Sequence, residues 1–304
     1  MFKLDKQHFF IKKCNFHLKW GLFYSNYPDF GILLVPLQIQ NQSSKTNQFY
    51  MSFSSIVNRI PPVTKNLLII NILIWAVMML LPKVGAALNS QLALYYIQSQ
   101  AFKPFQLLTY MFLHNTSIDG GFFHIFFNMF ALWMFGSIIE RALGSTRFLI
   151  YYLSCGFGAA LIQEVVYAVM LEKYHSIFTP EYFNYIVENG YRALQMGQNY
   201  ADPTYYNLNN LFNGATVGAS GAIYGILLAF GMLFPNQPIY LMFIPIPIKA
   251  KWMVLGYGAI ELLFGISGTA SNVAHWAHLA GMLFGVIMIL YWKKRGDFND
   301  RWYF

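Results

Sequence analysis

A serine and a histidine occupy positions in this sequence where polar side chains are rare. Ser220 lies in Gly218-Ala219-Ser220-Gly221 at the start of one apolar stretch, and His278 lies at a comparable position in a later one. Polar groups at membrane depth are costly and are usually functional. A hydroxyl becomes a nucleophile when a nearby base takes its proton, and an imidazole can do so near neutral pH. The pair indicates acyl-transfer chemistry within the bilayer.

Two further polar residues suit the charge that such chemistry develops. His124 and Asn128 lie one helical turn apart in an earlier apolar stretch. Attack on an amide carbonyl builds negative charge on its oxygen, and one preorganised donor to that oxygen is commonly worth about 3 kcal/mol. His124, Asn128 and the Ser220 backbone are therefore candidate oxyanion donors. No Asp or Glu is expected at the depth of His278, which predicts a Ser–His dyad without a carboxylate.

The apolar stretches that carry Ser220 and His278 also contain glycines at four-residue spacing. Such small-xxx-small patterns allow two membrane helices to approach closely. The sequence therefore predicts that these two helices pack against each other and bring the hydroxyl within reach of the imidazole. The supporting glycines are Gly218, Gly221, Gly225, Gly281 and Gly285.

Two other side chains near the pair have weaker interpretations. Tyr224 follows Ser220 by one turn and is equally well explained as an ordinary buried aromatic residue. His275 shares a helix face with His278, and such a histidine pair can bind a metal ion. Because no carboxylate or thiolate is expected to complete a ligand set, His275 is interpreted as a structural or supporting group. No metal and no cofactor are predicted.

The composition identifies the class of protein. The 304 residues are 57% hydrophobic and 19% aromatic, and only 11% are charged, which is typical of a polytopic membrane protein. The net charge of +8 comes from Lys and Arg that flank apolar runs, so it indicates membrane topology and no nucleic-acid partner.

Six stretches have the length and polarity of membrane-spanning helices, because about 20 apolar residues cross the hydrocarbon layer. They predict an all-α membrane protein with a six-helix bundle. The segment from Leu92 to Leu113 is predicted to lie in the interface without crossing, and residues 172–213 to form a long polar outer loop. The spans cover approximately Leu67–Leu81, Gly121–Ile139, Phe148–Leu171, Ala215–Phe234, Met253–Ile266 and Val273–Trp292.

The basic residues also give the orientation. Lys and Arg gather before the first span, between spans two and three, between spans four and five, and after span six. Cytoplasmic connections are enriched in these residues, so both termini are predicted to be cytoplasmic, in a bacterial cell membrane. Spans two, four and six then begin in the same outer leaflet, where His124, Asn128, Ser220 and His278 converge.

The sequence divides into three regions. Residues 1–56 form an N-terminal cytoplasmic extension, with either Met1 or Met51 as the start of translation. Residues 57–292 form the six-span domain with its outer loop at 172–213. Residues 293–304 form a short basic C-terminal tail.

Three short motifs follow one another along the six-span domain. They are His124-xxx-Asn128, Gly218-Ala219-Ser220-Gly221 with Tyr224, and the sequence AHLAGMLFG from Ala277 to Gly285. In this order and spacing they resemble the oxyanion, nucleophile and base motifs of the rhomboid family of intramembrane serine proteases. The similarity covers about residues 57–292. The N-terminal extension and the 172–213 segment exceed the family's common pattern.

The resemblance implies a helical bundle with a water-filled cavity open to the outer side. In it Ser220 would attack, His278 would act as base and then as acid, and Tyr224 would pack beneath the base. It implies serine endopeptidase activity on single-span membrane proteins in a lipid bilayer. Substrates would be cleaved at small residues near the membrane surface, entering past the fifth span, with the Gly265–Asn272 loop as a cap. The sequence does not indicate an oligomeric state.

Two other functions are compatible with polar groups at membrane depth. A transporter or channel usually has a repeat or a polar path that continues to the far side, but the cytoplasmic halves of spans two, four and six are overwhelmingly apolar. A catalytically inactive rhomboid-like protein that only binds membrane helices is the nearer alternative. It is disfavoured because Ser220 and His278 are both present.

Overall fold

Long helices dominate the chain in a computed structural model, which describes residues 59–241, 244–267 and 272–296. The predicted 1–56 extension and residues 297–304 of the C-terminal tail lie outside these residues. We number the elements in chain order. They are α1 (Pro62–Leu80), α2 (Pro82–Leu92), α3 (Gln106–Thr109), a 3-10 turn (Tyr110–Phe112), α4 (Gly121–Ala131), a π-helical turn (Leu132–Gly136), α5 (Ser137–Leu143), α6 (Ser145–Ile177), α7 (Pro180–Gln195), α8 (Pro203–Asn213), α9 (Ser220–Leu233), β1 (Pro238–Leu241), β2 (Ile244–Lys249), α10 (Ala250–Ile266) and α11 (Asn272–Lys294).

Four stretches of helix within the described residues are long and apolar enough to cross a membrane: Pro62–Leu80, Gly121–Leu143, Ser145–Ile177 and Ala274–Lys294. The second runs through α4, the π-helical turn and α5 without a break. Helices α9 and α10 have 14 and 17 residues, which is below the usual spanning length of about 20. The predicted all-helical membrane fold is confirmed, and the count of six spans remains a prediction.

The long helix α6 lies at the centre of the packing. It contacts both α9 and α11, and α11 also packs against α9 and α10. Aromatic side chains from α6 fill the interior, with Phe148, Tyr151 and Tyr152 fully buried. Tyr151 donates a hydrogen bond of 2.7 Å to the Gly225 carbonyl of α9. This contact fixes α9 against the central helix.

Glycines allow α9 and α11 to touch backbone to backbone. A Cβ on Gly281 would lie 1.9 Å from the Gly221 carbonyl oxygen, and one on Gly225 would lie 2.5 Å from the Cys155 sulfur. No larger residue fits at either position without moving a helix. The close approach predicted from glycine spacing is confirmed for Gly221, Gly225 and Gly281. Gly285 instead lies mainly against the Tyr151 hydroxyl of α6, at 2.4 Å from its ideal Cβ.

Residues 172–213, predicted to form a long polar outer loop, are mostly helical in the structure, and their position on the outer side remains a prediction. Helix α6 continues to Ile177, and α7 and α8 fill most of the remainder. Both helices begin with proline at their first position, a common start signal. Buried Phe183 and Ile186 of α7 pack in one cluster with Leu208 and Phe212 of α8. The abundance of Tyr and Asn concealed this apolar periodicity.

The segment between α2 and α4 packs against the protein through its backbone. Ala93, Leu94, Tyr95 and Tyr96 are all buried, and Leu94 pairs with Thr216 as an isolated antiparallel bridge. The helices in this segment are only α3 and the 3-10 turn, both far too short to cross a bilayer. A two-stranded hairpin of β1 and β2, which the sequence had not indicated, connects α9 to α10.

Candidate active site

Ser220 is the first residue of α9. The preceding turn depends on Gly218, whose φ of +133° lies in a region that L side chains rarely adopt. The Gly218 N–H donates to the Tyr110 carbonyl at 3.1 Å, which ties the turn to the short helical segment before α4. At a helix start the first N–H groups have no partner within the helix, and the helix dipole favours negative charge there. The Ser220 backbone is thus suited to an oxyanion.

The His278 ring lies directly beside the serine hydroxyl. Its Nε2 is 2.8 Å from the Ser220 Oγ, within hydrogen-bond range. The ring stacks on Tyr224, with centroids 4.2 Å apart and planes 7° from parallel. The structure therefore brings together the hydroxyl and imidazole singled out in the sequence, and Tyr224 lies against the base as the resemblance implied.

A carboxylate lies on the other side of His278, so the expectation that no Asp or Glu lies at its depth was wrong. The Glu261 Oε2 is 3.1 Å from the His278 Nδ1. Glu261 is five residues before the end of α10, and His278 is six residues after the start of α11. Because α10 and α11 are consecutive helices that run in opposite directions, Glu261 and His278 lie at the same depth. Counting residues only from the start of each helix had placed Glu261 at a different membrane depth from His278.

Besides His278, two groups contact the Glu261 carboxylate, which is buried with a side chain 7% exposed. Tyr224 donates a short hydrogen bond from its hydroxyl to Oε1. The His275 Nδ1 lies 2.5 Å from Oε2, and the His275 ring stacks on Phe264. His275 is therefore part of this cluster, in agreement with its interpretation as a supporting group.

The same cluster alters the reasoning about metal binding. The potential ligand atoms of Glu261, His275 and His278 all lie within 4.8 Å of one another. The sequence argument against a metal rested on the lack of a carboxylate near the two histidines, and Glu261 removes that argument. These three residues have the donor types of a zinc site, although His278 Nε2 already contacts Ser220.

His124 lies on the opposite side of the serine turn. A Cβ on Gly218 would be 3.0 Å from the His124 Nε2 and 3.9 Å from the Ser220 Oγ. The Asn115 N–H donates to the His124 Nδ1 at 3.4 Å. A neutral imidazole that accepts at one nitrogen donates from the other, so Nε2 carries a proton towards the turn. This is the tautomer that an oxyanion donor needs.

Asn128 is buried one turn further along α4. Its Nδ2 donates at 2.7 Å to the His124 carbonyl. An amide nitrogen carries two protons, so the second is available to another acceptor. The bond fixes the Asn128 side chain beside the backbone of His124.

His114 is a neighbour that the sequence analysis did not identify. Its ring is buried 5.2 Å from that of His124, centroid to centroid. Neither ring nitrogen has a hydrogen-bond partner within the described part of the chain. Burial, and to a smaller extent His124, lowers the pKa of His114 to about 3. Its position directly after the Leu92–Leu113 segment was the signal available, since residues 114–120 connect that segment to α4.

Half of the Gly265–Asn272 cap that the resemblance implied, residues 268–271, lies outside the described residues. The helices and the hydroxyl–imidazole contact together define an integral membrane protein with a polar site among its helix ends.

Comparison with known proteins gives the family. A sequence model of the Rhomboid domain matches residues 101–295, which is more than half of the chain. The chain belongs to the rhomboid family. This membership supports a function like that of an intramembrane serine protease.

Curated relatives are distant in sequence. The chain is 24% identical over 173 residues to "Rhomboid protein 1, mitochondrial" of Saccharomyces cerevisiae, covering 57% of this chain and 39% of that protein. It is 25% identical over 192 residues to "Presenilin-associated rhomboid-like protein, mitochondrial" of Bos taurus, covering 60% and 39%. The chain thus spans about two fifths of the length of these relatives. Both relatives are named as mitochondrial proteins, so they do not support the predicted location in a bacterial membrane.

Proposed function

We propose that this protein is an intramembrane serine endopeptidase that hydrolyses peptide bonds in or near the transmembrane segments of other membrane proteins. The observation that carries the proposal is the 2.8 Å contact between the Ser220 Oγ and the His278 Nε2 at the start of an apolar helix. A hydroxyl in such contact with an imidazole is arranged for nucleophilic catalysis. Membership of the rhomboid family supports the same reaction class.

The residues suggest the following steps. His278 Nε2 takes the proton of Ser220 as its oxygen bonds to the scissile carbonyl carbon, forming a tetrahedral oxyanion. The Ser220 N–H and the side chains of His124 and Asn128 are the proposed donors to that oxyanion. His278 then returns the proton to the departing amine. Water hydrolyses the acyl-enzyme by the same base catalysis, which regenerates the serine.

Substrates are proposed to be single-span membrane proteins that reach the site from the lipid bilayer. Their segments would have to unwind locally, since a helical peptide bond is shielded by its own hydrogen bonds. No nucleic acid or cofactor is part of the proposal. We also retain the predicted bacterial cell membrane with cytoplasmic termini as a proposal, which fractionation of the native cells tests.

Two substitutions test the proposed nucleophile and base. Ser220→Ala and His278→Ala should each lower kcat for a reporter with a destabilised single span by about a thousandfold or more. The nucleophile and its base act together, so the loss of either one removes the function of the pair. Both proteins should remain folded in detergent. The measurement is cleavage of the reporter by purified protein in liposomes.

Ser137→Ala is a matched control, since Ser137 is also a buried serine in an apolar helix and its hydroxyl has no partner among the described residues. It should leave turnover unchanged. A fluorophosphonate should label wild-type protein on the peptide that contains Ser220. Full cleavage by Ser220→Ala would refute the protease proposal.

A further inference from the structure

We infer that Glu261 is a positioning residue for the base His278, so that the site works as a Ser–His–Glu arrangement across three helices. The inference rests on the proposed protease function and adds a residue to it. Ser220 comes from α9, Glu261 from α10 and His278 from α11.

The first argument is the tautomer of His278. To accept the Ser220 proton, Nε2 must be unprotonated, and the ring proton must therefore be on Nδ1. Nδ1 is buried and has no aligned hydrogen bond within the described residues. The Glu261 Oε2, at 3.1 Å, is within reach of it. A small rotation of either side chain converts this contact into a bond that favours the catalytic tautomer.

The second argument is the charge that develops during the reaction. When Nε2 takes the serine proton, His278 becomes a cation in a partly buried site, where its side chain is 17% exposed. A carboxylate beside Nδ1 stabilises that cation, because opposite charges attract more strongly at low dielectric. The proton moves only from the Ser220 Oγ to Nε2 and later to the leaving amine, while Glu261 remains ionised throughout.

The third argument is that Glu261 is held in place. The Tyr224 hydroxyl bonds to Oε1 and the His275 Nδ1 contacts Oε2, which stabilises a buried carboxylate that would otherwise be costly. Tyr224 also stacks on His278. One tyrosine therefore fixes both the imidazole plane and the carboxylate that faces its edge.

The test compares two substitutions that differ in charge. Glu261→Gln keeps the size and removes the charge, so kcat should fall roughly 10- to 100-fold with KM little changed. Glu261→Asp keeps the charge on a shorter side chain and should recover part of that loss. The rate of fluorophosphonate labelling should fall with kcat, because it reports base activation of Ser220 without a peptide substrate.

Glu188→Gln is the matched control for the loss of a carboxylate, since Glu188 lies exposed on α7. It should leave kcat unchanged. Thermal unfolding in detergent distinguishes positioning from folding. Glu261→Gln and Glu261→Asp with equal losses of kcat and equal losses of stability would overturn the inference in favour of a structural role.

Chelation separates positioning from metal binding. Protein treated with EDTA should retain full activity. Activity lost on chelation and restored by zinc would instead assign Glu261, His275 and His278 to a metal site and would overturn the inference. If Ser220→Ala is inactive and Glu261→Gln is fully active, the inference alone fails. If Ser220→Ala is itself active, the proposed function fails.

Discussion

Carboxylates in the apolar interior of this protein each receive hydrogen bonds from neighbouring groups. The Glu140 oxygens accept from the backbone N–H groups of Val63 and Thr64 at 3.0 and 2.7 Å. Glu164 accepts from the Ile97 N–H at 2.7 Å. Among the described residues, Glu261 accepts from the side chains of Tyr224 and His275. Glu140 also accepts from the Ser145 hydroxyl at 2.7 Å, so each of these carboxylates is stabilised by neighbouring donors.

Acid should destabilise the fold through His114. Burial lowers the pKa of this imidazole from 6.5 to about 3, so the folded protein keeps it neutral while the unfolded chain binds a proton below about pH 6.5. The unfolded state then binds more protons, and the stability from this group falls as the pH drops from about 6.5 towards 3. His114→Phe should make the fall in thermal midpoint between about pH 7.5 and 5 shallower.

The control for this experiment is His175→Gln, at an exposed position on α6. It should retain the slope of the wild-type protein. An unchanged slope in His114→Phe would show that other groups cause the acid sensitivity.

At the scale of secondary-structure elements, contacts at the helix ends fix the positions of the helices. Glu140 lies near the end of α5 and supplies acceptors to the first N–H groups of α1, which have no partner within their own helix. Its negative charge also suits the helix start. The start of α9 is different, because there a glycine turn presents the serine and its N–H to the site. Close packing of α9 with α11 then fixes the distance between hydroxyl and imidazole.

Gly281→Ala should therefore disrupt both folding and chemistry. The added methyl would lie 1.9 Å from the Gly221 carbonyl oxygen, so α9 and α11 must separate. We expect a destabilisation of about 1–3 kcal/mol and a larger loss of kcat, since His278 lies one turn from the new side chain. Unfolding in detergent and reporter cleavage measure the two effects.

Gly256→Ala is the matched control, because a Cβ at Gly256 meets nothing within 4 Å. In α10 it should be neutral or stabilising by up to about 1 kcal/mol, owing to the higher helix propensity of alanine. Equal effects of the two substitutions would contradict the role of the glycine contact.

At the scale of the whole molecule, helices that run in opposite directions bring their polar groups to one level. Helices α4, α9 and α11 contribute residues near their starts, and α10 contributes Glu261 near its end. Large exposed apolar side chains elsewhere on these helices, such as Phe123, Leu263 and Leu283, suit contact with lipid. A water-accessible site inside such a surface requires the helix ends of the site to face one side of the membrane.

The predicted orientation can be tested by cysteine labelling in a background with Cys14 and Cys155 replaced by serine. Glu188→Cys on α7 should react with a membrane-impermeant maleimide in intact cells. Lys249→Cys, at the end of β2, should react only after permeabilisation, because basic connections remain in the cytoplasm. Both positions are exposed in the structure. The opposite pattern would reverse the topology.

Much of the site followed from local patterns in the sequence. The spacing of Gly221, Gly225 and Gly281 indicated close helix packing, which the structure confirms. Ser220 and His278 were identified because polar groups in apolar helices are rare, and their atoms lie 2.8 Å apart. The helices within residues 172–213 were not predicted, since Tyr and Asn conceal an apolar face when only overall polarity is considered.

The sequence by itself determined that this is a helical membrane protein and which hydroxyl, imidazole and glycines belong together, because hydrophobic length and residue spacing within a helix are local properties. Only the tertiary structure decided that Glu261 contacts both His275 and His278 and that His114 lies beside His124. Those contacts depend on how separate segments of the chain pack against one another, and the residue spacing within one segment does not encode the depth at which another segment passes it.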